Sequence, residues 1–457
     1  MENSKILGFS ASPRSRITKE NSGKYIENLL QIKSDNDLIC FLQENGENKN
    51  LSNSDIILSA GLWKANQLGS DIKLCCDSDF SVNELKSCDG IVLSTPVYFG
   101  DRSAISDEFI RKISQNNNFG KIYAGLASGA KRNGGQETTL IYQIFDMINA
   151  GFLSVGNDSE TTAQYGGTCH AGNMGTAWKD DYGIWTAKGV GRRIAKVCYL
   201  KKLSEEYSIR GKIKIGIFIL QKDKLSIVED LIYKLSNTFK NSIDVTIFDI
   251  TDKTFDYCLA CDICPSSVGP DETYRCSIKN KNDWFLENHN KFLELDAILP
   301  IVYCDKNSNK EVSHYQRFIE RTRYLRRGDY LFSDIVVCPI VINEIGNNNT
   351  MLFRIITSMI RHHTIIHNPI AIYTKNNIFY EDLLWNEIEK FIKLSRIFTA
   401  GRLARSLFEN EESLYNPVGY ILQSGQNNKE LLDRKKFLAD RNARLKSSTG
   451  KRILKTL

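Results

Sequence analysis

Short apolar runs alternate with longer amphipathic stretches through the N-terminal half of the chain. Residues 5–9, 71–74, 90–94, 121–127 and 152–155 read as buried strands, and residues 54–69, 103–114, 138–150 and 185–203 as helices. Strands separated by helices are βαβ units, which predict a parallel sheet with right-handed crossovers and helices on both faces. Five such strands suit a doubly wound sheet of order 2-1-3-4-5. The same order recurs after Gly211, with strands at 212–219, 245–250, 297–302 and 334–341 and helices at 227–239, 312–324, 350–363 and 381–407. The closing helix of each half carries a related run, Gly191-Arg-Arg-Ile-Ala and Gly401-Arg-Leu-Ala-Arg. This echo predicts a tandem repeat of one α/β fold: residues 1–205, residues 211–410, and a tail over 411–457.

In an open parallel sheet, ligands sit beyond the carboxyl ends of the strands. Three loops at those ends of the first sheet are informative. Ser10-Ala-Ser-Pro-Arg-Ser follows the first strand, and its hydroxyls, its N–H groups and Arg14 suit a phosphate. The next helix start is Asn53-Ser54-Asp55, so residues from about 16 to 52 read as an insertion, after which Ser54 returns to the anion site. The insertion reads as a lid or an interaction arm, with residues 44–53 mobile. Thr95-Pro-Val-Tyr-Phe-Gly-Asp follows the third strand: Pro96 stiffens the turn, Gly100 permits close approach, and Tyr98 and Phe99 suit a planar ring. Ser128-Gly-Ala-Lys-Arg-Asn-Gly-Gly-Gln-Glu follows the fourth strand, where Gly134 and Gly135 loosen the backbone beside Gln136. Taken singly, each loop also reads as an ordinary strand end and turn.

Taken together, Ser-Ala-Ser-Pro-Arg at 10–14, Thr-Pro-Val-Tyr-Phe-Gly at 95–100 and Gly-Gly-Gln-Glu at 134–137 form a recognisable set. With Tyr165-Gly-Gly-Thr, Ala171-Gly-Asn-Met-Gly and Gly191-Arg-Arg, they resemble the NADPH-dependent FMN reductase and iron–sulfur flavoprotein branch of the flavodoxin-like superfamily. That branch includes the tryptophan-repressor-binding-protein quinone reductases. The resemblance implies FMN, its phosphate on Ser10, Ser12, Arg14 and Ser54. It implies the isoalloxazine against Pro96, Val97, Tyr98, Phe99 and Gly100 on one loop and Ser128, Gly129, Gly134, Gly135 and Gln136 on the other. It also implies hydride transfer from NAD(P)H to FMN and onward to a quinone, a flavin or another small acceptor, the chemistry being the cofactor's. No catalytic acid or base is assigned. His170, between Cys169 and Ala171, is a candidate proton donor or an incidental loop residue.

The second half is expected to lack FMN. Its corresponding loops, Leu220-Gln-Lys-Asp-Lys-Leu, Ile301-Val-Tyr-Cys-Asp and Asn343-Glu-Ile-Gly-Asn-Asn-Asn, offer a phosphate carboxylates and few hydroxyls. It carries instead Cys258-Leu-Ala-Cys261-Asp-Ile-Cys264-Pro and then Cys276, a spacing that suits a 4Fe–4S cluster. The iron–sulfur flavoproteins hold their cysteines in a loop at this place, with a shorter gap than the eleven residues before Cys276. Structural zinc and ligand-free thiols are the alternatives.

Composition narrows the partners. Sixty basic residues against 54 acidic ones, a net +6, argue against a nucleic-acid binder. The exception is the tail, where Arg434, Lys435, Lys436, Arg441, Arg444, Lys446, Lys451, Arg452 and Lys455 meet only Asp433 and Asp440. It reads as a solvated segment or as a dock for an acidic redox partner protein. Met1-Glu-Asn-Ser-Lys runs into a strand rather than an apolar leader, and no apolar run approaches a membrane span. With twelve cysteines in such a chain, reduced thiols or ligands are expected over disulfides, and the cytoplasm is the expected compartment. A homo-oligomer is left open. The function expected is an FMN-dependent NAD(P)H oxidoreductase; the alternatives are an electron carrier serving a partner enzyme and a non-catalytic scaffold.

Overall fold

The computed structural model describes residues 3–48, 51–75, 80, 82–158, 163–261, 276–306, 309–327, 331–347, 350–375, 382–408 and 452–455. The chain divides into two compact units, Met1–Lys202 and Leu203–Leu457.

In the first unit the central strand β1 (Lys5–Ser10) pairs in parallel with β2 (Asp71–Cys75) and β3 (Gly90–Pro96). Strand β4 (Ile122–Gly129) follows beside β3. The fifth position is shared: β5 (Leu153–Ser154) pairs with the first half of β4, and β6 (Gly167–His170) with its second half. This is the expected flavodoxin-like order 2-1-3-4-5, with β6 an addition that four residues of Gly-Thr-Cys-His do not announce. Strands β3 and β4 are buried along nearly their whole length, as parallel strands covered on both faces must be.

The insertion is helical. Helix α1 (Lys19–Leu30) and α2 (Asp35–Asn48) fill it, so residues 44–48 form the end of a helix rather than a mobile arm. Both pack on α3 (Asn53–Gln67). That explains why Ile56, Ile57, Leu58, Leu62 and Trp63, apolar right round the helix, are all buried: the sheet covers one face and the insertion the other. Tyr25 reaches Ser59 at 2.9 Å, and Trp63 Nε1 donates to the Ile32 carbonyl at 3.1 Å. Helix α3 starts one residue earlier than the sequence suggests. Ser52 caps it, and Asp55 returns the bond to the Ser52 N–H, a reciprocal box legible as Ser-x-x-Asp.

Helices α4 (Val82–Ser87), α5 (Ala104–Ser114), α6 (Gln136–Asn149) and all but the last turn of α7 (Asp181–Glu206) complete the first unit. Gly191 has a packing role: a Cβ there would lie 2.0 Å from the Gly61 carbonyl oxygen, so the approach of α7 to α3 at this point requires glycine. Arg192 pairs with the buried Asp158.

The second unit begins with β7 (Tyr207–Ile209), followed by β8 (Ile213–Ile219), α8 (Ser226–Thr238), β9 (Ile243–Asp249) and α9 (Trp284–Phe292). Then come β10 (Ala297–Cys304), α10 (Asn309–Arg321) and α11 (Arg323–Arg327). Its fourth strand is broken at Pro339 into β11 (Val336–Val337) and β12 (Ile340–Glu344). After α12 (Met351–Ile360) its fifth is broken before Pro369 into β13 (Ile365–Ile366) and β14 (Ile370–Thr374). The order β9-β8-β10-β12-β14 is again 2-1-3-4-5, all parallel. Helix α13 (Asp382–Phe408) closes the unit, and β15 (Ile453–Lys455) pairs with β7. Most of the basic tail lies outside the described residues. Arg452 is bound by both carboxylate oxygens of buried Asp296, at 3.1 and 2.5 Å, and so is no open surface cation.

One detail recurs in both units. The aspartate immediately before the third strand accepts the N–H at the start of the first: Lys5 to Asp89 at 3.0 Å, Lys214 to Asp296 at 2.8 Å. Each aspartate also meets cations of the closing helix, Lys201 and Lys202 in one unit and Arg402 in the other.

Candidate functional site

The three loops singled out in the first unit meet at the carboxyl end of its sheet. The first is drawn onto the other strands by Ala11, whose N–H donates to the Ser94 carbonyl at 2.8 Å and whose carbonyl accepts from Ser103 Oγ at 2.5 Å. Ser54, in the first turn of α3, lies 3.0 Å from Ser128 at the end of β4, oxygen to oxygen. Ser10, Ser12, Ser54 and Ser128 are all buried there, while Arg14 is exposed at the rim and its N–H donates to Ser12 Oγ at 3.2 Å. Ser15 continues the loop and donates to Asp55 at 2.8 Å, which ties the far side of the loop to the cap of α3.

Among the described residues, the buried Ser10 hydroxyl has no hydrogen-bond partner. A buried hydroxyl left unsatisfied costs on the order of 1–3 kcal/mol, and this one lies at the strand end, where a bound anion would satisfy it. Beside it lie a second buried serine, an arginine and a helix N-terminus, a donor set that suits a phosphate.

The second loop makes a tight turn. Tyr98 and Asp101 exchange two backbone hydrogen bonds, of 2.7 and 2.9 Å, around Phe99 and Gly100, both at positive φ. Phe99 at φ 52° is a conformation that an aromatic residue rarely accepts, and its ring is fully exposed; Tyr98 is half-exposed. Pro96 and Val97 lead into this turn, with the Val97 N–H on the Ser128 carbonyl at 2.9 Å. The third loop packs against it. Gly135, at φ +103°, is the N-cap of α6, and a Cβ there would come within 2.8 Å of the Gly100 Cα. Gln136 does not face outward as expected for a ring-binding amide. It is buried and bridges its own loop, accepting from the Gly134 N–H at 2.8 Å and donating to the Lys131 and Cys169 carbonyls at 2.7 and 3.1 Å. Its place is beneath Gly129, as the frame of the loop.

A group absent from the expected set borders this loop. Asp180, which precedes α7, is buried; its Oδ2 accepts from the His170 N–H at 2.8 Å and meets His170 Nδ1 at 2.9 Å, and its Oδ1 pairs with Arg132. Burial by itself would raise the Asp180 pKa. The N–H groups of His170 and Gly183 and the charges of Arg132 and His170 outweigh it and hold the carboxyl below its usual range. Burial first, and Asp180 next, push the neighbouring Cys169 thiol well up, so it stays protonated. An aspartate eleven residues beyond Cys169 carries no motif, and only the fold reveals the cluster.

In the second unit, Cys258, Cys261 and Cys276 line one pocket with Arg321, Arg323 and Tyr324. Cys276 is buried, and Cys261 Sγ lies 3.2 Å from Ser277 Oγ. Cys264 lies outside the described residues. No group of three or more His, Cys, Asp or Glu side chains among the described residues is arranged to hold a metal ion. At the end of this unit's sheet, where the first unit has its serine loop, Glu311 at the start of α10 accepts the Lys222 N–H at 2.9 Å, and Lys310 pairs with Asp223 at 2.8 Å and Asp305 at 3.1 Å. A carboxylate of the chain already takes the N–H that a phosphate would use. No helix among the described residues is long and apolar enough to cross a membrane.

Residues 4–157 match the family described as NADPH-dependent FMN reductase, so the match takes in all three loops. An iron–sulfur flavoprotein of Methanocaldococcus jannaschii is 38% identical over 131 residues, 28% of this chain and 67% of that protein. An iron–sulfur flavoprotein of Methanosarcina thermophila is 30% identical over 141 residues, 28% of this chain and 69% of that protein. An NAD(P)H dehydrogenase (quinone) of Solidesulfovibrio magneticus is 28% identical over 158 residues, 31% of this chain and 75% of its own length. With the serine loop, the aromatic turn and the diglycine loop converging at the end of a flavodoxin-like sheet, this chain belongs to the NADPH-dependent FMN reductase family and is an FMN-binding, flavin-dependent oxidoreductase.

Proposed function

We propose that the first unit holds one FMN and uses it to carry reducing equivalents from NAD(P)H to a small acceptor such as a quinone or a flavin. The observation that carries this reading is the buried, unpartnered Ser10 hydroxyl at the point where the three loops meet. Ser10, Ser12 and Arg14, with the first turn of α3 at Ser54, would hold the phosphate. Pro96 to Gly100 and the stretch from Ser128 to Gly135 would border the ring, with Gln136 bracing the second of these from behind. FMN, when bound, supplies the hydride acceptance and return; the chain supplies its position and shields it from water.

A second reading has its own support. Three of the four cysteines expected to hold a cluster line one pocket, and two relatives are named iron–sulfur flavoproteins. In that reading FMN and a 4Fe–4S cluster on Cys258, Cys261, Cys264 and Cys276 pass single electrons to a partner protein. The shared topology and the paired aspartates Asp89 and Asp296 support descent of both units from one ancestor, the second having lost its flavin.

An anaerobic absorption spectrum with released flavin and iron quantified, followed by NADPH, separates the readings. One FMN without iron, bleached promptly by NADPH, is the expected result. About four irons per chain and no bleaching would select the electron carrier. No flavin after reconstitution would sink both.

A further inference from the structure

We infer that His170, oriented by Asp180, is the proton donor to a quinone-type carbonyl acceptor; the inference rests on the FMN reading of the adjacent loops. In the β4–β6 ladder His170 sits opposite Gly129, so it lies where the third loop leaves the sheet. Its ring is 43% exposed, whereas the Asp180 carboxylate beneath it is 5% exposed. Both the backbone N–H and Nδ1 of His170 are engaged by the same oxygen, Asp180 Oδ2. A carboxylate bound to Nδ1 fixes the proton there and leaves Nε2 as the nitrogen that serves a substrate. The other oxygen of Asp180 binds Arg132, whose guanidinium lies over the Tyr182 ring at 4.9 Å. One buried anion therefore couples the imidazole to the loop that borders the ring. The charged and titratable groups around it are Asp180, Arg132, the protonated Cys169 thiol and Tyr182.

The step balances. Reduction of a quinone to a hydroquinone takes two electrons and two protons. FMN, when bound, would supply both electrons and one of the protons as a hydride. The donor is the His170 imidazolium, its Nδ1–H held by Asp180: its Nε2–H bond breaks and an O–H bond forms at the acceptor carbonyl, which supplies the second proton and leaves the neutral Nδ1–H imidazole. The quinone is reduced, the flavin is oxidised, and the neutral imidazole recovers its proton from water at its exposed edge. An acceptor that takes electrons alone has no need of this group, so His170 also selects among acceptors. Asp180 is a positioning residue and touches neither acceptor nor flavin.

The test compares the FMN-loaded full chain with H170Q, using NADPH as donor and either 1,4-benzoquinone or ferricyanide as acceptor; ferricyanide takes one electron and no proton. The ratio of benzoquinone to ferricyanide turnover should fall about tenfold or more in H170Q, the scale of general acid catalysis (~10²–10⁴) reduced by whatever water replaces. A smaller fall overturns the inference. A second readout needs no turnover: titrated to its neutral form, the imidazole should show the Nδ1–H tautomer by ¹⁵N spectroscopy in the native chain, lost in D180N and restored in D180E. An Nε2–H tautomer in the native chain overturns the role of Asp180 and with it the inference. FMN content, measured on the same samples, separates the two levels. A chain without flavin removes the site reading itself, whereas a chain with full flavin and an unchanged ratio removes only the role of His170.

Discussion

The two units share a sheet order and even an aspartate at the same structural position, yet their sheet ends are built in opposite ways. In the first unit the end of β1 presents a buried hydroxyl with no partner among the described residues, beside a strained aromatic turn and a left-handed glycine. In the second the equivalent end has chain carboxylates where the first has serines, with Glu311 on the Lys222 N–H and Lys310 between Asp223 and Asp305, although the buried Gln221 Oε1 there also has no partner among the described residues. The difference teaches that one sheet order can carry two chemistries, because the strands preserve the fold while the side chains at their carboxyl ends decide whether an anion meets hydroxyls or carboxylates.

The sharpest way to break this contrast is to fill each third loop. Gly135→Val puts a branched side chain at φ +103°, with its Cβ 2.8 Å from the Gly100 Cα. The two ring-bordering loops must then separate, and FMN affinity should fall on the order of a hundredfold or more, measured by flavin fluorescence. Gly346→Val, at φ +93° in the second unit with nothing within 4 Å, should leave FMN affinity unchanged. Equal losses from both would show that the second loop also serves the flavin.

The paired aspartates should differ in cost. Asp296 is 1% exposed at its side chain and meets two guanidiniums, Arg402 and Arg452; Asp89 is 10% exposed and meets two lysines at the longer distances of 3.4 and 3.7 Å. Asp296→Ala removes the carboxylate shared by Arg452 and Arg402, the latter keeping only the Leu295 carbonyl among the described residues, and should destabilise the second unit by about 3 kcal/mol, whereas Asp89→Ala should cost about 1 kcal/mol. Urea unfolding of each variant reads both values. A reversed order would mean that the first unit leans on its aspartate more than its exposure implies.

How far the sequence revealed this follows from the kind of signal each region carries. The parallel strands were legible because burial on both faces makes runs such as Ile91-Val-Leu and Ile298-Leu apolar without alternation. The fifth strand of the second unit was not, because Pro369 and the polar His367-Asn368 interrupt it, while the ladder continues through backbone bonds that carry no sequence mark. The insertion was visible as a displaced helix start, but its helices were hidden in polar, Asn-rich sequence. Only the all-round apolar surface of α3 hinted that something covered it. The sequence offered Gln136 to the ring and the structure ties its amide to Gly134, Lys131 and Cys169, because a motif fixes a position and leaves the direction of a side chain open. His170 was visible, but Asp180, which gives it direction, was not.

Acid should separate the units more gently. Five of the six histidines are buried in the second unit, while His170 of the first is half-exposed. Burial, reinforced by Arg326 and Arg361, pushes His362 down to about 3, and burial also lowers His314 and His367. A histidine held neutral by the fold binds protons more tightly when unfolded. Its contribution is thus full above the unfolded value near 6.5 and is lost as pH falls below it, by up to about 1.4 kcal/mol per pH unit for each such group. Hydrogen exchange, corrected for its intrinsic pH dependence, should show β8, β10 and β12 losing protection between pH 7 and 5 before β1, β3 and β4 do. Simultaneous loss would show that the buried histidines do not set acid stability.

The smallest effect asks whether strain and function are separable at one residue. Phe99 sits at φ 52° with its ring wholly in solvent, so it gains nothing from burial and bears a backbone cost of about 1 kcal/mol. Phe99→Gly keeps the turn between Tyr98 and Asp101 and removes that strain, and it should raise the stability of the unliganded chain by about that amount, less the entropy that glycine gains in the unfolded state. If the ring instead serves a flat ligand, the same change should weaken FMN or acceptor binding while the melting temperature of the ligand-free chain rises or holds. A fall in that melting temperature with unchanged binding would show that Phe99 is an ordinary turn residue. The contrast between the two sheet ends would then rest on Ser10 and Gly135 alone.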